Sequence, residues 1–231
     1  MVDTPVAEID ASLCTGCGNC PQVCPTYAIT LERRDGILSV SEVDPLRCIG
    51  CGNCVVVCPV KAITLPGWDN VEIPAQISAA LAADNFQPGD PRILVLACEW
   101  SAAGAAELAG SRRADLPENA VLLRMNCSAR FDPYHILWAF LQGADGVLLG
   151  ACPPGECHYG MGNLYARERV EVLKKELAAR GVDPRRLRLE FFSVDDGLKF
   201  ARIVNDFMEE VEHQLSDRGQ MPSGVRMPIR R

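Results

Sequence analysis

Short apolar runs alternate with longer amphipathic segments over the part of the chain that follows residue 91. The apolar runs predict buried strands over 93–97, 121–125, 147–149 and 187–192. The other segments predict helices over 104–113, 133–142, 164–180 and 195–215. Strands that alternate with helices in this way favour a mostly parallel sheet with helices on its faces. We therefore expect residues 92–216 to form an α/β domain with a short, helix-flanked sheet.

Two segments next to this domain differ from it in composition. Residues 67–91 carry four acids and no Lys or Arg, and their prolines and glycines predict a linker with one short helix that begins near Pro74. Residues 217–231 carry four arginines and one aspartate, and we expect an extended basic tail. This tail either stays solvated or docks on an acidic surface of a partner, and the sequence leaves both open.

Eight of the twelve cysteines lie in the first 58 residues, in two runs of the same spacing. Each run has the form C-x2-C-x2-C-x3-C-P; the first is CTGCGNCPQVCP from position 14 and the second is CIGCGNCVVVCP from position 48. The repeat indicates an internal duplication. In a reducing compartment such clustered thiolates favour metal binding over disulfides. Zinc is the alternative, but three cysteines at successive two-residue gaps, doubled and each closed by Cys-Pro, fit it poorly.

Composition and charge exclude several classes of protein. The chain has 231 residues, and 23 Lys+Arg against 30 Asp+Glu give a formal net charge of −7, which argues against a general nucleic-acid binder. No apolar run approaches the roughly 18–20 residues of a membrane span, and the start of the chain shows no secretory signal. We therefore expect a soluble, cytoplasmic protein without direct membrane insertion.

The duplicated runs resemble the bacterial two-cluster ferredoxin module, an α+β domain that would here cover residues 1–66. In that module the fourth cysteine of each run binds the cluster of the other run. The expected ligands of [4Fe–4S] cluster I are Cys14, Cys17, Cys20 and Cys58. Those of [4Fe–4S] cluster II are Cys48, Cys51, Cys54 and Cys24.

The four remaining cysteines follow the predicted strands. Cys98, Cys127 and Cys152 end the first three strands, and Cys157 comes five residues later. In a Rossmann-like or flavodoxin-like domain the carboxyl ends of the strands share one edge, so the four thiols are expected to converge there. A tetrathiolate metal centre follows, with buried structural cysteines as the alternative. Four thiolates alone do not separate [2Fe–2S] from [4Fe–4S] or zinc.

The sequence around these cysteines resembles the delta subunit of methyl-viologen-reducing hydrogenase over nearly all of residues 92–215. The motifs are CEW at 98–100, RMNCSAR at 124–130, FLQGADG at 140–146, GAC at 150–152, GECHY at 155–159 and GN at 162–163. The resemblance implies a [2Fe–2S] cluster on Cys98, Cys127, Cys152 and Cys157, although many relatives carry a further cysteine where this chain has Ser101. It also implies electron transfer to the flavin subunit of heterodisulfide-reductase-type complexes, where electron bifurcation takes place, in anaerobic metabolism.

No motif for a substrate is visible, and we expect no catalytic residue and no flavin or nucleotide bound by this chain. The leading hypothesis is an electron-transfer subunit with a heterodisulfide-reductase-like flavoprotein as one partner. The other partner would be a hydrogenase, a formate dehydrogenase or another dehydrogenase. The alternatives are a component of a quinone-interacting oxidoreductase complex, a thiol-based redox enzyme, and a zinc-bearing interaction module.

Three side chains near the cysteines have competing interpretations. We expect His158 to donate a hydrogen bond to a ligand sulfur or to pack at the surface. His135 is expected to pack within its helix. Arg130, three residues after Cys127, either offsets the charge of a cluster or is an ordinary surface arginine.

Overall fold

The N-terminal domain of the computed structural model consists of two similar halves. The residues that the structure describes are 4–34, 38–82, 85–86 and 90–219. The strands of the domain form two antiparallel pairs, β1 (Glu8–Ile9) with β4 (Ile63–Thr64), and β2 (Ile29–Arg34) with β3 (Leu38–Val43). A short helix follows the first cysteines of each run, α1 (Asn19–Gln22) in the first and α2 (Asn53–Val57) in the second.

Both short helices begin directly after a glycine with left-handed backbone. The φ angle is 76° at Gly18 and 76° at Gly52. A residue without Cβ adopts this conformation at little steric cost, which lets the chain turn sharply from the cysteine loop into the helix. The two turns occupy equivalent places of the repeat, so the duplication seen in the sequence is also a duplication of structure.

The second domain is a four-stranded parallel sheet with helices on both faces, as the alternation of patterns predicted. Its strands are β5 (Ile93–Cys98), β6 (Ala120–Met125), β7 (Gly146–Ala151) and β8 (Leu187–Phe191). Its helices are α4 (Ala102–Ser111), α5 (Pro133–Leu141), α6 (Gly162–Ala179) and α7 (Gly197–Gly219). One-turn 3₁₀ helices cover Ser128–Arg130 and Pro184–Arg186.

The strand order β6-β5-β7-β8 reverses direction between β5 and β7. This is the flavodoxin-like order, in which ligands bind outside the carboxyl ends of the strands at the point of reversal. Every residue of β5 and of β7 is buried, because helices cover both faces of these central strands. The strand ends that the reversal brings together are those that carry Cys98 and precede Cys152.

Two hydrophobic cores lie on opposite faces of the sheet. Leu94 and Leu96 of β5 point into the core formed with α3 (Glu72–Ala80), α5 and α6, whereas Ile93 and Val95 point into the core formed with α4 and α7. This alternation follows from the two-residue period of a strand. The helix α3 (Glu72–Ala80) comes from the predicted linker, and its residue Ile77 is fully buried in the first of these cores.

The start of α5 is fixed by local sequence. Asp132 precedes the helix and its side chain accepts a hydrogen bond from Tyr134 N at 2.9 Å, while Pro133 occupies the first turn. An aspartate cap followed by proline is a strong helix start, because the aspartate side chain accepts from an amide of the first turn and proline has no amide hydrogen to leave unpaired.

The C-terminal helix extends further than the sequence predicted. The expected extended tail, 217–231, begins inside α7, whose backbone is helical to Gly219. The helical backbone therefore continues for four residues past the predicted end at Leu215. Residues 220–231 lie outside the described part of the chain. Within the part that is described, none of the helices combines the length and apolar character that crossing a bilayer requires.

Candidate metal centres

Four cysteines line each of two cavities in the N-terminal domain, and the partition crosses the two runs. One cavity is lined by Cys14, Cys17, Cys20 and Cys58. The other is lined by Cys24, Cys48, Cys51 and Cys54. The fourth cysteine of each run therefore lies with the first three of the other run, which is the arrangement that paired [4Fe–4S] clusters require. The thiols present fit two such clusters.

Backbone amides point at sulfur atoms in both halves of the domain. Ala28 N donates to Cys24 Sγ at 3.2 Å, and the equivalent Ala62 N donates to Cys58 Sγ at 3.2 Å. Hydrogen bonds of this kind stabilise negative charge on a ligand sulfur and are one of the means by which a protein sets the potential of a cluster. The repeat supplies them at matching positions.

Burial raises the pKa of several of these thiols. It raises the pKa of Cys51 to about 11 and raises that of Cys54 further still, with the charges of neighbouring cysteines acting in the same direction. Without metal these thiols keep their protons at neutral pH. A metal centre must displace those protons when it binds, and its positive charge then offsets the buried thiolates.

Four further thiols meet at the carboxyl edge of the parallel sheet. Cys98 is the last residue of β5, Cys127 follows β6, Cys152 follows β7, and Cys157 lies in the loop before α6. The Sγ atoms of Cys98 and Cys152 are 3.8 Å apart. Two sulfurs on one tetrahedral metal atom with bonds of about 2.3 Å have nearly this separation. These four thiols thus converge at the strand ends, and as a donor set they fit a tetrathiolate metal centre.

The four sulfurs form a closed ring of contacts in which the pKa values alternate. Hydrogen bonds from the thiols of Cys127 and Cys152 lower the pKa of Cys98 and of Cys157. The same contacts raise the pKa of Cys127 and of Cys152, which hold the protons. A metal that binds here must displace the protons that these thiols still hold.

Asn163 holds the loop that carries two of these cysteines. Its buried amide Nδ2 donates to Cys152 O at 2.9 Å and to Pro153 O at 2.7 Å. A Cβ at the preceding Gly162 would lie 2.8 Å from Cys127 Sγ, so only glycine lets α6 begin this close to the sulfur. Asn163 entered the sequence interpretation through the family resemblance alone, since a single Gly-Asn pair carries no recognisable pattern.

His158 stacks on an exposed indole instead of joining the ring of sulfurs. Its ring centroid lies 3.6 Å from that of Trp100 with the planes 5° apart, and Trp100 Nε1 donates to Tyr159 Oη at 3.0 Å. His135, by contrast, is fully buried in α5, and neither ring nitrogen has a hydrogen-bond partner among the described residues. Both histidines therefore pack, and neither is placed as a ligand.

The thiols of the cavity lined by Cys24, Cys48, Cys51 and Cys54 lie close to the four thiols of the sheet edge, at the contact between the two domains. A small cavity between the domains is lined by Cys51 and Pro25 on one side and by Tyr159 and Tyr165 on the other. Cys157 is close enough to Cys51 to raise its pKa, after the larger effect of burial. Asn126 Nδ2 donates to Gly50 O at 2.6 Å, which ties the residue before Cys127 to the residue before Cys51.

Two arginines at this junction were only partly anticipated from the sequence. Arg130 is fully buried, which excludes the surface alternative for this residue. Arg169 projects from α6 and donates to Ala129 O at 2.7 Å and to Asn53 Oδ1. Sequence reasoning assigned no role to Arg169 or to Asn126, because their hydrogen-bond partners lie far away along the chain.

Comparison with known proteins divides the chain into the same two domains as the structure. Residues 93–214 match the family described as methyl-viologen-reducing hydrogenase, delta subunit. Residues 13–62 match the 4Fe-4S dicluster domain. The two matches cover the parallel-sheet domain and the duplicated cysteine runs.

Individual relatives fall into two kinds. CoB-CoM heterodisulfide reductase subunits of Methanosarcina acetivorans and Methanosarcina mazei are 40% and 38% identical over 206 residues, which is 89% of this chain but 25% of each relative. The F420-non-reducing hydrogenase iron-sulfur subunit of Archaeoglobus profundus is 42% identical over 118 residues, 51% of this chain and 86% of the relative. The chain thus spans about a quarter of the reductase subunits and most of the hydrogenase subunit.

Proposed function

Because the chain belongs to the methyl-viologen-reducing hydrogenase delta subunit family and also carries a dicluster ferredoxin domain, we propose that it is an electron-transfer subunit with three iron–sulfur centres. Two would be [4Fe–4S] clusters in the N-terminal domain and one a [2Fe–2S] cluster at the edge of the parallel sheet. When bound, such centres accept and donate single electrons. The chain would relay electrons between two partner subunits.

The observation that carries this proposal is the grouping of all twelve cysteines into three sets of four. Two sets line the cavities of the N-terminal domain, and the third forms the ring that joins Cys98, Cys127, Cys152 and Cys157. The second and third sets adjoin through Cys51 and Cys157. Sets of thiols that adjoin in this way support transfer between centres inside one chain.

The protein's own contribution is to hold and shield the centres. Val55 and Leu65 are fully buried in the core that surrounds the cysteines, which keeps water from the inner side of the cavities. Backbone amides aimed at the sulfurs stabilise their charge. Asn163 and Gly162 fix the loop and the helix start around the third set of thiols.

The proposed partners are suggested by the relatives. We propose that one is a heterodisulfide-reductase-like flavoprotein, since the curated reductase subunits unite a segment like this chain with about three times as much further sequence. The other would be a hydrogenase or another dehydrogenase, since the shorter relatives are named as hydrogenase iron-sulfur subunits.

Iron, sulfide and zinc analysis of anaerobically purified protein, with EPR of the dithionite-reduced form, tests the proposal. Two [4Fe–4S] clusters and one [2Fe–2S] cluster give about ten irons per chain. The variant Cys157→Ser is expected to lose about two irons and the [2Fe–2S] signal only. The control His158→Phe removes a neighbour that is not a ligand and should keep all the iron. A wild-type protein with about eight irons, and zinc or free thiols in the second domain, would refute the third centre.

A thiol-based redox enzyme is the second candidate, and one observation favours it. Cys157 is partly exposed and has a lowered pKa, which are the properties of a reactive thiol. This alternative predicts rapid alkylation of Cys157 in the protein as purified, together with turnover of a disulfide by the isolated chain. Slow alkylation of Cys157 and no turnover would exclude it.

A further inference from the structure

The two copies of the cysteine loop are alike in backbone but have different surroundings. In the first copy Asn19 is exposed, and among the described residues no heavy atom lies within 4 Å of the place that a Cβ at Gly18 would take. In the second copy Asn53 is 2% exposed, and a Cβ at Gly52 would lie 2.8 Å from Arg130 Cδ. The second domain therefore covers the loop of one half only, and it does so with arginines.

Arg169 joins the loop of cluster II to the loop of the third set of thiols. One end of its guanidinium donates to Asn53, which stands between Cys51 and Cys54, and the other end donates to Ala129 O. Ala129 N in turn donates to Cys127 Sγ at 3.3 Å. A single cation thus lies between the cysteine loops of two neighbouring centres.

Arg130 places a second cation behind the same loop, where the carboxylates of Asp132 and Asp69 act on it. Its Nε donates to Trp68 O at 2.9 Å and one terminal nitrogen donates to Asn70 Oδ1 at 2.7 Å. The other terminal nitrogen lies 3.7 Å from Asp132 Oδ2 and has no hydrogen-bond partner among the described residues. Asp132 also pairs with Lys61 at 3.3 Å, so one carboxylate faces two cations.

Both arginines remain charged in this environment. Burial lowers the pKa of Arg130 to about 10, while the carboxylates of Asp132 and Asp69 favour its charged form. Burying a cation is costly unless opposite charge is near. When a cluster is bound, the thiolates of Cys24, Cys48, Cys51 and Cys54 would add negative charge to this site.

From this arrangement we propose that Arg130 and Arg169 raise the reduction potential of the cluster held by Cys24, Cys48, Cys51 and Cys54. Reduction adds one negative charge to a buried site, and a fixed cation nearby stabilises that charge most where water does not screen it. Asn19 and Gly18 of the other copy have no such arginine among the described residues. The electron is thereby favoured at the cluster that adjoins the third centre. This inference rests on the proposed function.

Anaerobic redox titration of the full-length protein, followed by EPR, tests the role of each charge. Arg169→Met and Arg130→Met are expected to lower the potential of one [4Fe–4S] cluster so that its equilibrium constant for reduction falls about tenfold, or about 59 mV for one electron. Arg169→Lys and Arg130→Lys should restore most of this loss, since they keep the charge. Arg180→Met is the matched control just past the end of helix α6, because Arg180 is 67% exposed and pairs with Glu176; its potentials should equal those of the wild type.

Two results would overturn the inference while leaving the proposed function intact. One is full iron content and unchanged potentials in Arg169→Met. The other is an equal shift in the Met and Lys variants, which would mean that the arginines act through shape alone. If Arg130→Met loses iron through misfolding, the Arg169 series decides. A wild-type chain without [4Fe–4S] signals would instead refute the proposed function itself.

Discussion

Replacing Gly52 by alanine, with Gly18→Ala as its internal control, measures how tightly the second domain presses on the duplicated cysteine loop. Both glycines have a φ of 76° and both precede a short helix. They differ in what a new methyl group would meet. At Gly52 it would lie 2.8 Å from Arg130 Cδ and 3.3 Å from Leu65 Cδ2, whereas at Gly18 the described residues leave it free space.

The expected magnitudes follow from two separate costs. Alanine in left-handed backbone costs roughly 1–2 kcal/mol, and both variants bear this cost. Only Gly52→Ala also overpacks the domain junction, for which about 1–3 kcal/mol is typical. Arg130 is held at its guanidinium by Trp68 O and Asn70, so its Cδ has little freedom to move aside. We expect Gly52→Ala to be the more destabilised variant by about 1–3 kcal/mol.

The measurement is the rate at which the cluster-loaded protein loses its visible absorbance in denaturant under anaerobic conditions. A rate is the proper quantity because loss of clusters makes unfolding irreversible. Variants with Arg130→Ala in both glycine backgrounds complete a double-mutant cycle. The extra cost of Gly52→Ala should shrink when Arg130 is absent, while that of Gly18→Ala should stay the same.

Equal loss rates for the two glycine variants would refute this reasoning. They would mean that Arg130 does not pack on Gly52 in the folded protein. The docking of the second domain on one half of the repeat would then need another explanation. An extra cost that persists without Arg130 would place the clash on Leu65 instead.

Three other predictions concern single contacts. Asn163→Ala leaves Cys152 O and Pro153 O without their donor; it should cost about 2–3 kcal/mol and lower the iron of the third centre while both [4Fe–4S] signals remain. Asp132→Asn keeps an oxygen for the cap of α5 but removes the carboxylate that faces Arg130; the fold should be weakened by about 3 kcal/mol, which is seen as faster loss of visible absorbance in denaturant, and a wild-type loss rate would contradict it. Burial raises the pKa of Cys51 from 9.0 to about 11, so cluster assembly on the metal-free chain should speed up as the pH rises from about 7 to about 9. The stability of the metal-free fold should change with pH in the opposite direction. The raised pKa of Cys51 stabilises this fold below pH 9.0, and the contribution is lost as the pH rises toward 11. A urea titration of the metal-free chain at several pH values would show this loss.

Because the second domain packs on one copy of the cysteine loop, the two copies have different surroundings. The copy around Gly52 is covered by Arg130, and its Cys51 lies near enough to Cys157 for the charge of Cys157 to raise the pKa of Cys51, after the larger effect of burial. The copy around Cys17 keeps an exposed thiol and an exposed Asn19. A duplication that began with equivalent halves has thus become asymmetric through the domain that follows it.

Local spacing in the sequence was sufficient for the fold class and for the cysteine motifs. Thiols separated by two residues on a glycine turn, as at Cys48 and Cys51, are brought together by the turn itself. The alternation of apolar runs predicted the parallel sheet, and the placement of Cys98 and Cys152 at strand ends predicted that these thiols would meet. In each case the relevant distance along the chain is short, or a rule of sheet topology replaces it.

Only the tertiary structure decided what surrounds those thiols. Asn53 meets Arg169 across 116 residues and Gly50 meets Asn126 across 76, and such pairs leave no periodic trace in a single sequence. The predicted linker helix α3 has its buried Ile77 in the core of the second domain because burial there removes its apolar surface from water. Local sequence therefore determined the cysteine motifs and the course of the sheet. Packing between distant segments decided which half of the repeat is covered and where its cations lie.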